Sequence, residues 1–275
     1  MRDIVENDVR QEPSLVWVLE DHEHFAYSEG VRTENYLEQV LRSARDLSSD
    51  SSELDNFVRD WPSEYHLSHK RAQLLSGFDF DRNLRVLEVG SGCGAITRYL
   101  GETFDSVTCI EGSLRRARIS RLRTHDLPGV SILCAPFQDV RFSTKFDVVF
   151  CIGVYEYSSS FVDCADPYDS VLRYFRDVLS PTGVVVLAIE NQFGLKYFSS
   201  SAEDHLGVMF EGLEGYHSGL GRVRTFGRTQ LETDLKRYFP FREAILSLQE
   251  QCPGFTIRQI DRALFSYHRL IMKPR

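Results

Sequence analysis

The feature that most constrains this chain is an apolar run that leads directly into three spaced glycines. Val86-Leu87-Glu88-Val89 is followed by Gly90-Ser91-Gly92-Cys93-Gly94-Ala95 and then by the amphipathic window AITRYLGETF. Glycines at the end of a buried strand let the backbone turn sharply and approach a ligand, and the helix that follows presents free N–H groups. Four further apolar runs, SVTCIEG, VSILCAP, FDVVFCIG and GVVVLAIEN, succeed it, separated by helical windows such as LRRARISRLRTH and SVLRYFRDVL. Strands without polar alternation, each followed by a helix, predict a parallel sheet covered on both faces. Right-handed crossovers make this a doubly wound α/β fold, with ligands at the carboxyl ends of the strands.

The surplus length lies on either side of that core. Residues 1–75 are expected to form a helical N-terminal cap. Thr33 is the expected N-cap of a helix whose apolar stripe is Tyr36, Leu37, Val40, Leu41 and Ala44. A second helical layer follows, interrupted at Pro62. Residues 76–275 form the main domain. Within it, 192–227 lack periodicity and are rich in Gly, Ser, His and aromatic residues, which predicts a lid-like, acceptor-binding insertion after the fifth strand. FTIRQIDR and LFSYHRLIMK read as closing strands, giving seven strands, mostly parallel, with an antiparallel last strand.

Composition narrows the partners. A net charge of -8 disfavours a chain held on nucleic acid or anionic lipid by a basic face. Arg115, Arg116, Arg118, Arg121 and Arg123 read as a solvated face of one helix, with docking of an anionic partner as the alternative. The six cysteines form no C-x-x-C pair and no His/Cys cluster with zinc spacing, so no metal is expected. The charged N-terminus, and the lack of an apolar run of about 20 residues, predict a cytoplasmic protein without a transmembrane segment.

The second strand ends at Glu111-Gly112, about twenty positions after the first glycine, where a carboxylate accepts both ribose hydroxyls of an adenosine. NAD and S-adenosylmethionine both meet that test. Glu88, two residues before Gly90, separates them. E-V-G-x-G-x-G resembles motif I of class I S-adenosylmethionine-dependent methyltransferases, a Rossmann-like family, in which this acidic residue orients the cofactor's amino-acid end. The resemblance implies a cofactor site of Glu88, Gly90, Ser91, Gly92, Gly94, Glu111 and Gly112. It also implies Phe137 and Gln138 at the adenine, since Pro136 replaces the family's usual Asp. Ile152-Gly153-Val154-Tyr155-Glu156-Tyr157-Ser158 looks like the family's motif IV for small-molecule and glycan acceptors, adding Ile152 and Gly153 to the cofactor set. Tyr65, His66 and Arg71 stand where the family folds a segment over the cofactor's amino-acid end.

Longer phrases, among them RDWPSEYHLSHKRAQLL at 59–75 and AIENQFGLKYFSSSAEDHLG at 188–207, resemble a bacterial branch associated with cell-surface polysaccharide and O-antigen biosynthesis. That branch often stands beside glycosyltransferases, so the resemblance implies a sugar or other small acceptor and a glycosyltransferase partner. Transfer to a hydroxyl needs a base, and His205, Glu156 and Glu190 are the candidates. Tyr157, Asn191, Glu214, Tyr216 and Arg224 are expected to shape the acceptor pocket, with Arg224 suited to a phosphate. A non-catalytic cofactor-binding module, or methylation of protein or nucleic acid, remain the alternatives.

Overall fold

A computed structural model describes residues 1–20, 28–75, 77–239 and, by backbone alone, 267–272. The chain forms two compact units, Met1–Val148 and Val149–Arg275. The first contains strands β1 (Val9–Gln11), β2 (Trp17–Leu19), β3 (Arg85–Val89), β4 (Ser106–Glu111) and β5 (Val130–Cys134) in the order β1-β2-β5-β4-β3. β3, β4 and β5 are parallel, with Val89 beside Ile110 and Glu111 beside Cys134. Val86, Leu87, Val107, Cys109, Ile110, Ile132 and Leu133 are all buried, as strands covered on both faces require.

Helices α1 (Val31–Ser43), α2 (Ser52–Asp55), α3 (Trp61–Leu67), α4 (Lys70–Gln73), α5 (Ala95–Thr103) and α6 (Leu114–Arg123) complete this unit. The first 75 residues are not wholly helical. The β1–β2 hairpin adds to the sheet, with Trp17 and Val18 of β2 running parallel to Leu133 and Cys134. Helix α1 starts after Gly30, ahead of the expected cap at Thr33. Pro62 opens a helix rather than breaking one. It occupies the first turn of α3, where its missing N–H costs nothing, behind an Asp60–Ser63 capping box.

One apolar cluster fastens this cap to the glycine turn. Leu37, Val40, Leu41, Leu47, Leu54 and Leu67 pack with Cys93 and with Ile119 of α6. The α6 arginines do the same work with charge. Arg118 pairs with Glu12 at 2.7 Å, Arg116 with Glu29 at 3.3 Å, and Arg115 with Glu38 and Asn35. Arg123 is fully buried and donates to the His66 carbonyl, and Arg121 donates to the carbonyls of Thr124 and Val130. The helix is thus clamped within the unit: Arg116 and Arg123 are buried, which corrects their reading as a solvated face, while Arg118 stays exposed.

The unit division falls within β6 (Phe146–Ile152). The second unit holds the rest of that strand, α7 (Ser158–Phe161), α8 (Pro167–Val178), β7 (Leu179–Glu190), α9 (Leu195–Phe198), α10 (Arg228–Lys236) and β8 (Tyr267–Met272). Its strand order is β6-β7-β8, and β8 is antiparallel to β7, with Tyr267 opposite Glu190. Val171, Leu172, Phe175 and Val178 bury the expected stripe of α8. The strand expected at 255–262 lies outside the described residues. With the N-terminal hairpin, eight strands are described, mostly parallel with an antiparallel last strand. Among the described residues no helix is long and apolar enough to cross a membrane.

Residues 192–227 contain α9 and little other regular structure. They return to the sheet through a parallel bridge between Asn191 and Phe226. Gln192 fixes this return, donating to the Gly212 carbonyl at 2.7 Å and accepting from Gly227 N–H at 3.1 Å.

Candidate active site

In the first unit the glycine turn is shaped by its backbone. Gly90 N–H and Ser91 N–H both donate to the Ile110 carbonyl, at 2.8 and 3.2 Å. Gly92 and Gly94 adopt φ of +54° and +87°, a region that L side chains avoid. A Cβ on Gly94 would lie 2.9 Å from Ser120 Cα, so helix α6 approaches α5 closely only because Gly94 has none. A Cβ on Gly92 would lie 2.8 Å from Arg116 Nη2.

Glu111 sits beneath this turn. Its Oε2 accepts from Gly92 N–H at 2.7 Å and its Oε1 from Ser113 N–H at 2.9 Å. Each carboxylate oxygen keeps a second lone pair for a hydroxyl. Glu88 faces inward and accepts from Thr97 Oγ1 at 2.6 Å. Burial pushes its carboxyl up to about 7 against that hydrogen bond. Glu88 thus braces α5 against β3. Ala135 N–H donates to the Glu111 carbonyl, which brings the turn at Phe137 and Gln138 up beside the end of β4.

The cap meets the same turn. His66 is buried, and its Nε2 lies 2.7 Å from Glu29 Oε2. Burial lowers the His66 pKa despite that partner, so a neutral imidazole donates Nε2–H to the carboxylate. Glu29 is opposed by its own burial but is held below its ordinary pKa by His66 and Arg116. Arg71 lies over the Tyr65 ring, 3.9 Å from its centroid, and Tyr65 stands edge-on to His66. The pairing of Glu29 with Arg116 is not legible in the sequence, because neither carries a motif and they are 87 positions apart. Cys93, also in the turn, is inert: burial pushes its thiol up to about 12.

S-adenosylmethionine fits this arrangement. The turn leaves no room for a side chain at Gly92 and presents backbone to a ligand. Glu111 offers acceptors suited to ribose hydroxyls.

The second unit gathers the three candidate bases. One ligand-capable atom from each of Glu156, Glu190 and His205 lies within 4.8 Å of the others, a set that could also hold a cation. His205 Nδ1 lies 2.8 Å from Glu203 Oε1, while its Nε2 faces Glu190 Oε2 at 3.7 Å. Glu203 is 2 % exposed and also accepts from the backbone N–H groups of His205 and Leu206. These bonds fix the imidazole with its proton on Nδ1 and its lone pair on Nε2. Burial disfavours the charged ring, but the Glu203 hydrogen bond and the Glu190 and Glu203 charges outweigh it and raise the His205 pKa.

Tyr157 stands edge-on to His205 at 5.3 Å. The Tyr216 hydroxyl joins Thr225 Oγ1 at 2.6 Å to Glu203 Oε1 at 3.3 Å. Tyr216 takes a left-handed φ of 62°, a strain of about 1–3 kcal/mol for a non-glycine residue that those bonds hold in place. Arg224 N–H donates to the Glu156 carbonyl at 3.2 Å, and Asn191 Oδ1 accepts from Phe193 N–H. Gly153, at φ +68°, donates to the Ala188 carbonyl, tying Ile152-Gly153 to β7. Glu214 is exposed and stands outside this network. The orienting role of Glu203 was hidden in the sequence, since the loop that brings it to His205 has no periodic signature.

Residues 87–187 match the family model described as a methyltransferase domain. No curated protein matches the sequence. Among solved structures, a chain of the Haloferax volcanii complex between the Trm112 methyltransferase activator and a methyltransferase superposes with a TM-score of 0.53 at 16% identity, covering 87% of this chain and 98% of that one. Magnesium protoporphyrin IX methyltransferase from Synechocystis PCC 6803, with bound S-adenosylhomocysteine, gives 0.50 at 12% identity, with 75% and 81% covered. N-methyltransferase NodS from Bradyrhizobium japonicum WM9, also bound to S-adenosylhomocysteine, gives 0.49 at 17%, with 88% and 98% covered. Residues 87–187 thus match a methyltransferase domain, and the chain shares the fold of these solved methyltransferases.

Proposed function

We propose that this chain is an S-adenosylmethionine-dependent methyltransferase that acts on a hydroxyl of a sugar or other small polar acceptor, in cell-surface glycan or secondary-metabolite biosynthesis in the cytoplasm. The observation that carries this reading is the Glu203–His205 pair, with Glu156 and Glu190 facing the free imidazole nitrogen. S-adenosylmethionine, when bound, supplies an electrophilic methyl carbon on a sulfonium. The protein's part is to position the hydroxyl and remove its proton. His205 Nε2 takes that proton, and Glu203 stabilises the resulting imidazolium through Nδ1–H. Glu156 and Glu190 orient the hydroxyl and lend a negative field that favours the charged ring. The resemblance to the polysaccharide branch supports the glycan acceptor and a glycosyltransferase neighbour.

The test pairs calorimetry with S-adenosylhomocysteine and transfer of labelled methyl to a panel of sugars, sugar phosphates and cell-envelope glycans. Base-labile methyl esters, or label on amines alone, would sink the hydroxyl assignment. A second reading, cation-assisted deprotonation by Glu156, Glu190 and His205, rests on their mutual approach. Transfer abolished by EDTA and restored by Mg²⁺ would favour it over the imidazole base.

A further inference from the structure

Arg224 is held differently from Arg98, Arg116, Arg121 and Arg123. Arg98 pairs with Glu102 and Asp126, Arg116 with Glu29, and Arg121 and Arg123 donate to carbonyls. Arg224 is half-buried, yet among the described residues no carboxylate pairs with it. Its Nε–H is buried without an acceptor. Two aromatic faces hold it instead: the guanidinium carbon lies 4.7 Å from the Phe226 centroid and 5.6 Å from that of Tyr168. Such contacts fix the plane of the group while leaving its N–H donors unused. Asp234 feels its charge but lies beyond ion-pair distance.

The backbone of Arg224 is fastened to the bases. Its N–H donates to the Glu156 carbonyl. Thr225, next in the chain, donates its N–H to the Tyr216 hydroxyl at 3.0 Å, and that hydroxyl reaches Glu203, the partner of His205. A guanidinium backed by two aromatic rings, its Nε–H without an acceptor, is thus carried by a residue whose backbone is bonded to Glu156. A planar fork of this kind matches the paired oxygens of a phosphate or carboxylate.

We infer that Arg224 binds an anionic group of the acceptor, a phosphate or a carboxylate, while another part of the same molecule presents its hydroxyl to His205. The inference rests on the hydroxyl-methylation reading and names the acceptor class for that site.

The experiment uses the full chain saturated with S-adenosylhomocysteine at constant ionic strength, titrated with inorganic phosphate and separately with glucuronate. Binding is followed by calorimetry and by the Nε–H resonances of ¹⁵N-arginine-labelled protein. Saturable, one-site binding is expected, with a shift of the Arg224 Nε–H resonance. Arg224→Gln should weaken it at least about tenfold, and Arg224→Lys, which keeps charge but loses the fork, should weaken it less. Competition between the two anions identifies one shared subsite, and their relative affinities tell phosphate from carboxylate. Unchanged S-adenosylhomocysteine affinity in both variants certifies their fold. Equal anion binding by wild type and Arg224→Gln overturns the inference, as does an absence of saturable binding by a wild type that holds S-adenosylhomocysteine. Failure of hydroxyl methylation in the transfer assay is a separate result, because the anion titration needs no turnover.

Discussion

The glycine turn after β3 and the insertion after β7 are both polar segments at strand ends, but they are ordered by opposite means. The turn is held mainly by backbone: glycines at positive φ, amides on the Ile110 carbonyl, and one carboxylate, Glu111, below it. The insertion is held by buried carboxylates that bond the loop's own amides. Glu203 accepts from His205 and Leu206, and Glu211 accepts from Ser218 through both N–H and hydroxyl. A backbone-built turn offers the same surface whatever its neighbours, which suits a fixed cofactor. A loop built from side chains changes shape when they change, which suits selection among acceptors.

Substitutions can break that contrast. The largest effect is expected at the insertion's imidazole. His205→Asn should lower kcat by about 10²–10⁴-fold with S-adenosylhomocysteine affinity unchanged, the range for losing a general base. Measured transfer within threefold of wild type would remove His205 from the chemistry. Glu203→Gln tests the same pair by pH. The raised His205 pKa places the acidic limb of the rate profile above the ordinary histidine value of 6.5. Removing Glu203 should move that limb to lower pH. The stabilisation linked to His205 is fully present below pH 6.5 and is lost as pH rises through the raised pKa. Glu203→Gln should therefore cost less stability at pH 9 than at pH 6, and an equal loss at both would contradict the pairing.

The turn should fail differently. Gly92→Val forces a β-branched residue into a left-handed φ against Arg116. About 10- to 100-fold weaker S-adenosylhomocysteine binding is expected from roughly 1–3 kcal/mol of strain, with unchanged circular dichroism. Normal binding by calorimetry would move the cofactor elsewhere. Glu211→Ala should leave cofactor affinity intact while opening the loop to protease, since two bonds to a buried carboxylate are lost at about 1–3 kcal/mol. Proteolysis at wild-type rates would show that the loop does not depend on that group. The smallest effect belongs to Arg118→Ala. Its ion pair with Glu12 has a half-exposed arginine, so about 0.2–1 kcal/mol is expected in urea unfolding.

The same contrast decides what could be read from the sequence. β3, β4 and β5 were legible because strands buried on both faces are uniformly apolar, and the turn because glycine spacing is written locally. The three-residue strands β1 and β2 carry no periodicity and exist through pairing with β5. The α6 arginines looked solvated because their partners are remote: Glu12 is 106 positions from Arg118 and Glu29 is 87 from Arg116. His205, Glu156 and Glu190 were found by residue type, and the structure brings them together. Glu203 was passed over because its work is to satisfy neighbouring amides. Glu214, chosen by the same criterion, stands exposed.

The burial of Cys93 among Leu37, Leu54 and Leu67 ties order in the glycine turn to folding of the N-terminal helices. The two should open as one cooperative foldon, with amides of residues 90–94 exchanging hydrogen at the rate of those in α1 rather than at that of an ordinary surface turn. Removing α1 should then disorder the glycine turn without touching any residue of that turn, so that the cap acts as the turn's folding template.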